Sequence, residues 1–353
     1  MDYKILYIED NDPSSIIGDL EQYGFILQYH EPKEFESSIN ITKKSDAELI
    51  LLDFRLTGKG AAFDAPTIAQ TLRTIHSDQK RDIPIVLISS EENISGYYKD
   101  FTSQDLFDLA IPKNQLSQSL KKYTNRFKDL IVGYKDLATT ISSGKPLDSL
   151  LKIPDFIKEK ISPKAIDSLS NEKYIGNSFM ASSFIWNHVV RPSGLLIGED
   201  ILAARLGIAK DSKNWGELKG HLECFKYTGI FSKSYDRWWS KGLELWWETE
   251  INNESSLRRL EAAQRAKYII DVLKLKNLKP AERGEHARSD YFWTVCMRKK
   301  TPLDPIDGFE KDVDKNTWED PEYFSLIGVS ELESTKTLKM LDRKRYKDET
   351  REL

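Results

Sequence analysis

The chain has 353 residues, 39% of them hydrophobic, and a formal net charge of -4. This length exceeds what one hydrophobic core usually organises, so we expect two domains, and the apolar content with 8 tryptophans excludes wholesale disorder. The charge is uneven, because residues 1–124 hold 13 Lys and Arg against 20 Asp and Glu, whereas the rest holds 39 against 36. By charge, the first part is not a nucleic-acid binder and the second is only faintly basic.

The chain has two cysteines, Cys224 and Cys296, which are too few for a disulfide framework, and it has no CxxC metal motif. Its first residues, MDYKILYIED, have the pattern of a strand ending in acids rather than of a signal peptide. No run reaches the roughly 18 apolar residues that a membrane-spanning helix needs. We therefore expect a soluble, cytoplasmic protein that does not contact a membrane.

Short apolar runs alternate with helical periodicity through the first 124 residues. The predicted strands are YKILYI (3–8), LILLD (49–53), PIVLIS (84–89) and LFDLAI (106–111), with a weaker one at FILQYH (25–30). The predicted helices are at 14–24, 65–76 and 114–124. Apolar strands separated by helices are typical of a parallel sheet covered on both faces, with right-handed crossovers. The pattern predicts an α/β fold.

Polar side chains follow four of these strands. They are Glu9 and Asp10, Asp53, Ser89 and, after one proline, Lys113. Because the carboxyl ends of parallel strands share the sheet edge where ligands bind, these groups should meet there. Taken singly, each also fits an ordinary solvated turn, helix cap, strand-end hydroxyl or surface lysine. Their joint arrival at one edge predicts a functional site.

The three carboxylates of Glu9, Asp10 and Asp53 should repel one another at this edge. A divalent cation between them relieves that repulsion, and oxygen ligands of this kind suit Mg²⁺, which keeps several of its waters. The sequence therefore predicts a Mg²⁺ site.

The motifs ILYIED, LILLDFRL, IVLISSE and AIPK, in this order and spacing, resemble the receiver domain of bacterial two-component response regulators. The resemblance covers about residues 1–124. It implies a flavodoxin-like, doubly wound, parallel five-stranded sheet of order 2-1-3-4-5. Its switch point would lie between the strand that precedes Glu9 and Asp10 and the strand that ends at Asp53.

The resemblance also implies roles for individual residues. Asp53 is the phosphoacceptor, which takes a phosphoryl group from a phosphohistidine on a histidine kinase or phosphotransfer protein. The backbone carbonyl of Arg55 joins the three carboxylates as a Mg²⁺ ligand. The Lys113 ammonium neutralises charge on the transferred group, and the Ser89 hydroxyl bonds one of its oxygens.

Two features depart from the family pattern. Pro112 precedes Lys113 and Asn114 follows it, whereas the family usually has a proline after the lysine. Aliphatic residues occupy 109–111, where the family has its aromatic switch residue. The segment ENISGYYKDFTSQD (92–105) supplies aromatic side chains that are candidates to replace it.

Apolar residues recur at helical spacing from Phe127 to Ile141, which predicts either a dimer seam or a face packed on a neighbouring element. SSGKP (142–146) then breaks the helical pattern. We therefore predict three parts, namely a receiver at 1–124, a helical connector at 125–146 and an output or interaction domain at 147–353.

The third part is predicted to be mainly helical, with one strand candidate at 291–299. Residues 199–222 resemble a helix-turn-helix, although two helices packed in a core give the same pattern. The second helix offers a DNA duplex only Lys213, Asn214 and Lys219 as donors.

Two further stretches favour structural interpretations. RWWSKGLELWW (237–247) predicts tryptophans in a core or a partner interface. RGEHARSD (283–290) has one histidine and no second ligand at metal spacing, which is typical of a solvated loop.

These observations favour a phosphorylation-controlled signalling protein whose helical region engages a protein partner. A transcriptional response regulator that binds DNA is one alternative. Another is a phosphate sink in a branched relay, as in some phage-defence systems. Residues 147–353 show no assembled nucleophile, phosphate loop or metal motif, so we do not expect an enzyme.

Overall fold

A computed structural model describes residues 2–56, 63–79, 82–99, 105–252 and 254–351. The chain packs into two compact units. The first comprises Met1–Leu151, Asp167–Trp186 and Gly229–Ser234, and the second comprises Lys152–Ile166, Asn187–Thr228 and Tyr235–Leu353. The domain boundaries at 124 and 146 stay a prediction, since the units of packing divide the chain differently.

The first unit is built on a five-stranded parallel sheet. Its strands are β1 (Tyr3–Ile8), β2 (Phe25–His30), β3 (Leu49–Asp53), β4 (Ile85–Ser89) and β5 (Leu109–Pro112). Their order is β2-β1-β3-β4-β5, and every pairing is parallel. This arrangement confirms the predicted flavodoxin-like fold, and the apolar runs of β3 and β4 are fully buried as sheets covered on both faces require.

Among the described residues up to Ser142, six helices lie between or directly after these strands. They are α1 (Ser14–Glu21), α2 (Phe35–Lys44), α3 (Ala65–Gln79), α4 (Glu91–Lys99), α5 (Lys113–Gln118) and α6 (Leu120–Ser142). The sequence did not predict α2 as a helix, because Ser38 and Thr42 lie on its buried face and break the apolar stripe. The predicted helix at 114–124 runs across the break between α5 and α6, because the backbone leaves helical geometry at Ser119.

The apolar stripe of α6 is buried within the first unit. Phe127 contacts Phe25 of β2 edge-to-face, with 6.3 Å between ring centroids. On another face, a Cβ at Gly133 would lie 2.2 Å from the Phe231 ring, so only glycine admits that aromatic side chain. Most of the stripe therefore packs on elements of the same unit, which is the second of the two interpretations, and a homodimer stays a prediction.

The rest of the chain is mainly helical. Its helices are α7 (Asp155–Lys158), α8 (Pro163–Leu169), α9 (Glu172–Ile175), α10 (Ser178–Ile185), α11 (Glu199–Leu206), α12 (Trp215–His221), α13 (Ser240–Trp246), α14 (Ala262–Leu273), α15 (Leu326–Ser330) and α16 (Met340–Glu349). Single π-helical turns at Trp186–Val190 and Trp247–Ile251 extend α10 and α13. Among the described residues, no helix is long and apolar enough to cross a membrane.

Three two-stranded antiparallel ladders complete the second unit. They pair β6 (Leu196–Gly198) with β7 (Arg237–Trp239), β8 (Thr294–Val295) with β9 (Pro302–Leu303), and β10 (Phe309–Glu310) with β11 (Tyr323–Phe324). The strand predicted at 291–299 is thus only two residues long. The predicted core role of 237–247 is confirmed, because its four tryptophans, Trp238, Trp239, Trp246 and Trp247, are all buried.

Candidate functional site

Five of the six predicted site residues lie at strand ends on the carboxyl edge of the sheet. Glu9 and Asp10 directly follow β1, and Asp53 is the last residue of the adjacent strand β3. Ser89 ends β4, and Lys113 begins α5 immediately after β5. Parallel register along the sheet therefore brings residues from four strand ends to one place.

The three acids form a buried group. Glu9, Asp10 and Asp53 are 1%, 3% and 5% exposed, and one oxygen from each lies within 4.8 Å of the others. Carboxylates buried this close together are unfavourable without compensating positive charge. Arg55 follows within two residues with an exposed side chain. The role of its carbonyl as a further ligand stays a prediction.

Lys113 supplies part of that compensation. Its Nζ donates a hydrogen bond of 2.6 Å to Oε2 of Glu9 and lies 3.0 Å from Oδ1 of Asp53. The second contact is an ion pair, so one ammonium is shared between the carboxylates of Glu9 and Asp53. Three buried carboxylates around one ammonium keep an excess of negative charge, and oxygen donors grouped in this way fit Mg²⁺.

Two residues that the sequence analysis did not select hold the acids in place. Tyr7 donates its hydroxyl to Oε2 of Glu9 at 2.8 Å, and Asn11 Nδ2 donates to Oδ1 of Asp10 at 2.7 Å. The backbone N–H of Asn11 also donates to Oε1 of Glu9 at 3.2 Å. Strand alternation places Tyr7 on the same face as Glu9, which is the one signal that could have identified it.

The surroundings of the site shift the pKa values of Asp53 and Glu9 in opposite directions. Burial, together with the charge of Glu9, raises the pKa of Asp53 to about 6. Burial also opposes ionisation of Glu9, but the hydrogen bond and charge of Lys113 outweigh it and lower the pKa of Glu9. Burial beside Glu9 raises the pKa of Tyr7, so its hydroxyl stays protonated and donates. At neutral pH both acids are ionised.

The resemblance to receiver domains implied three features that the structure shows. They are the strand order β2-β1-β3-β4-β5, the acids at the ends of β1 and β3, and the lysine after β5. The N-terminal part of this chain has the receiver fold. Its strand order and the convergence of the motif residues confirm the resemblance stated from the sequence.

Comparison with known proteins found no matching family model and no matching curated protein. Solved structures do match the receiver. One is the response regulator TrrA from Thermotoga maritima in complex with Mg²⁺-BeF, with 21% identity over 34% of this chain and 97% of that chain, at a TM-score of 0.27. Another is the receiver domain of NtrX from Brucella abortus, with 18% identity over 33% and 95%, at 0.26.

A third match is the complex of the Saccharomyces cerevisiae phosphotransfer protein Ypd1 with the receiver domain of Ssk1. It has 19% identity over 36% of this chain and 88% of that chain, at a TM-score of 0.29. For a RitR mutant, the match spans only 55% of the matched chain.

Ser89 connects the receiver site to α4. Its buried Oγ accepts a hydrogen bond of 3.1 Å from Nδ2 of Asn93 on that helix. One turn later, Tyr97 packs edge-to-face on Phe54, the neighbour of Asp53, and on Phe107, at 5.7 and 5.8 Å between centroids. The replacement of the family's aromatic switch by segment 92–105 stays a prediction, and residues 100–104 lie outside the described residues.

In a chelator, we expect the wild-type chain to lose stability relative to an Asp53→Asn variant as the pH rises. The native pKa of about 6 lies above the ordinary 3.8, so the native carboxyl holds its proton more tightly than the unfolded one. The penalty is small near pH 4, grows between the two pKa values and is complete above about pH 6, on the order of 2–3 kcal/mol. Urea unfolding of both proteins near pH 4 and above pH 6 measures the difference in their free energies of unfolding. If that difference does not change with pH, the raised pKa of Asp53 is not its cause.

Proposed function

We propose that the receiver accepts a phosphoryl group on Asp53, in a Mg²⁺-dependent reaction, from a phosphohistidine on a histidine kinase or phosphotransfer protein. The observation that carries the proposal is the position of Asp53, buried beside two further carboxylates and within 3.0 Å of the Lys113 ammonium. A structural ion pair would not need three carboxylates crowded around one ammonium.

Glu9, Asp10, Asp53 and the carbonyl of Arg55 would hold the Mg²⁺. When bound, the ion supplies positive charge that favours phosphoryl transfer between anionic groups. The Asp53 carboxylate oxygen attacks phosphorus as the bond from phosphorus to the histidine nitrogen breaks, which leaves an acyl phosphate on Asp53 and a neutral imidazole on the donor.

Other receiver residues position and stabilise the phosphoryl group. The Lys113 ammonium, which already contacts Asp53, offers its charge to a phosphoryl oxygen. The Ser89 hydroxyl, which now accepts from Asn93, donates to another oxygen once the group is in place. Because Ser89 is bonded to α4, its reorientation would transmit the modification to that helix.

Phosphoryl uptake should depend on Mg²⁺ through Asp10. We expect wild-type uptake from a small acyl-phosphate donor to stop in a chelator, and an Asp10→Asn variant to need at least about tenfold more Mg²⁺. The measurement is the phosphorylated fraction on a phosphate-affinity gel across a Mg²⁺ titration.

Asp46→Asn is the matched control, because Asp46 is exposed and pairs with Lys4 near the amino ends of β1 and β3, at the opposite edge of the sheet from Asp53. Its Mg²⁺ dependence should equal that of the wild type. Uptake that persists in a chelator would contradict the metal proposal while leaving the phosphoacceptor itself to be tested separately.

We propose that the mainly helical region acts through contact with a protein partner. The helix pair α11–α12 supports this over DNA binding, because Lys219 is paired with Glu199 at 2.7 Å and Asn214 donates to Glu217. Of the three donors that a recognition helix offered, Lys213 alone has no such contact with the residues that the structure describes. Salt-dependent affinity for duplex DNA would favour the transcriptional alternative instead.

A phosphate sink makes a different prediction for the same sample. In a sink, phosphorylation changes neither the mass in solution nor the affinity for any protein other than the donor. Light scattering before and after phosphoryl uptake, with and without candidate partners, separates it from a signalling output.

A further inference from the structure

A cavity of about 190 Å³ lies within the second unit, beside the start of α11. Its charged lining includes three basic and three acidic side chains, namely Arg191, Arg237 and Lys300, and Asp200, Asp320 and Glu322. The formal charges of these six side chains sum to zero. Their hydrogen bonds and ion pairs nevertheless leave the cavity with an excess of positive charge.

Each of the three acids is already neutralised by a base that does not line this cavity. The pairs are Asp200 with Lys210, Asp320 with Arg205 at 2.6 Å, and Glu322 with Lys311 at 2.9 Å. None of the three cavity bases has a carboxylate partner among the described residues. The cavity therefore presents an excess of positive charge, which is the electrostatic requirement of an anion site.

Arg237 is the most constrained of the bases. It lies on β7 opposite Gly198 of β6, and one Nη donates to the carbonyl of Arg191. Its Nε is buried and has no hydrogen-bond acceptor within the described chain. A buried guanidinium donor without an acceptor is costly, and a bound anion would satisfy it.

Gly198 makes room for this guanidinium. A Cβ at position 198 would lie 2.6 Å from Nη1 of Arg237. Gly198 is also the N-cap of α11 and has no side chain to accept from the first N–H groups of the helix. The same glycine thus leaves space for the Arg237 guanidinium at the start of α11, whose first turn carries Glu199 and Asp200.

The electrostatic state of Arg237 agrees with this geometry. Burial lowers the pKa of Arg237, and the Arg191 guanidinium lowers it further, while Tyr235 and Asp200 act in the opposite direction. The Tyr235 ring, 5.4 Å from its Cζ, is the one cation–π partner that the structure describes for it. Arg237 remains charged, and Asp200, the acid that acts on it, is itself paired with Lys210.

We propose that this cavity binds a compact phosphate group, either inorganic phosphate or the phosphate of a small monoester. Arg237 is the central donor, and Arg191 and Lys300 complete the site from the more exposed side. The volume suits a tetrahedral anion and is below the range of about 300–1,000 Å³ of pockets for larger ligands. The site belongs to the second unit, and its existence does not depend on phosphorylation of the receiver.

Calorimetric titration of the full chain tests the proposal. Inorganic phosphate is one probe and phenyl phosphate the other, at constant ionic strength and with chloride as the comparison anion. A chelator and the Asp53→Asn background are used throughout, so that binding at the receiver does not contribute. We expect saturable binding of one phosphate per chain, weakened at least tenfold in Arg237→Met and unchanged in Arg259→Met, an exposed arginine outside the cavity.

Gly198→Ala provides a second test that keeps every charge. Its Cβ would displace the Arg237 guanidinium, so phosphate binding should weaken although net charge is unchanged. If Arg237→Met does not fold by circular dichroism, Lys300→Met at the exposed side replaces it, with the same expected loss.

The two probes distinguish the source of the phosphate group. Binding of inorganic phosphate supports a free anion as ligand, and binding of phenyl phosphate alone supports a monoester. No saturable binding of either probe, or equal affinity in the wild type and in the cavity variants, would overturn the proposal.

Discussion

Asp53→Asn is expected to abolish phosphoryl uptake by the full chain. The amide is nearly isosteric with the carboxyl but is a poor nucleophile, and it cannot form the acyl phosphate. Because Asp53 is buried against Glu9 and Lys113, the neutral amide also relieves repulsion, so the variant should fold at least as well as the wild type. The measurement is intact mass and a phosphate-affinity gel after incubation with Mg²⁺ and an acyl-phosphate donor.

A control variant and a folding measurement make the loss of labelling in Asp53→Asn interpretable. Asp46→Asn, which removes an exposed carboxylate, should be labelled like the wild type. Labelling of Asp53→Asn at the wild-type level would place the phosphoryl group on another residue and refute the site assignment. Circular dichroism of both variants shows that loss of labelling is not loss of fold.

Asp108→Ala is expected to destabilise the first unit by about 3–5 kcal/mol, because it leaves a buried guanidinium without its counter-charge. Asp108 and Arg73 form a buried ion pair at 2.7 Å, with side chains 2% and 7% exposed. The second carboxylate oxygen accepts from the Tyr134 hydroxyl of α6, and the first also accepts from the backbone N–H of Ile85 at 2.8 Å. Urea unfolding, followed by circular dichroism, measures the change.

Two controls isolate the cause of this loss. Asp46→Ala breaks the exposed pair with Lys4 and should leave the unfolding midpoint unchanged. Adding Arg73→Met to Asp108→Ala removes the uncompensated charge and should recover part of the stability. If Asp108→Ala alone changes the unfolding free energy by less than about 1 kcal/mol, the ion pair is not desolvated and the reasoning is wrong.

The network around Asp108 also explains why α6 packs with the receiver. Tyr134 lies on α6, Arg73 on α3 and Asp108 just before β5, so one buried carboxylate ties three elements together. Sequence periodicity identified the apolar face of α6 but not its partner. The partner is decided by residues far apart in the chain, such as Phe231, which fills the space left by Gly133.

The strands and the acidic site were predictable because their signals are local, whereas the strand order was implied by the resemblance to receiver domains. A parallel strand buried on both faces requires a run of apolar residues, and the polar residue that ends the run marks the sheet edge. Asp53 after LILL and Lys113 after AIP carry this signal within a few positions. The four motifs then determine the same edge independently, which is why the site residues could be selected from the sequence.

The supporting contacts of that site were not predictable in the same way. Asn11 and Asn93 are ordinary polar residues in the sequence, and only the folded chain places their amides on Asp10 and Ser89. Hydrogen-bond partners of this kind depend on side-chain direction and not on composition.

By itself, the sequence determined the class of the N-terminal fold, the helical character of the remainder and the identity of the acidic site. These features depend on buried apolar runs and on the polar residues that end them, which are patterns of neighbouring residues. Only the tertiary structure decided which face covers α6 and which charges remain uncompensated in the second unit. Arg237 and Lys300 line one cavity although they are 63 positions apart in the chain. The three acids of that cavity pair with bases outside it, so the lining has an excess of positive charge although it holds equal numbers of acidic and basic side chains. Long-range packing sets such charge balances, and no periodicity in the chain encodes them.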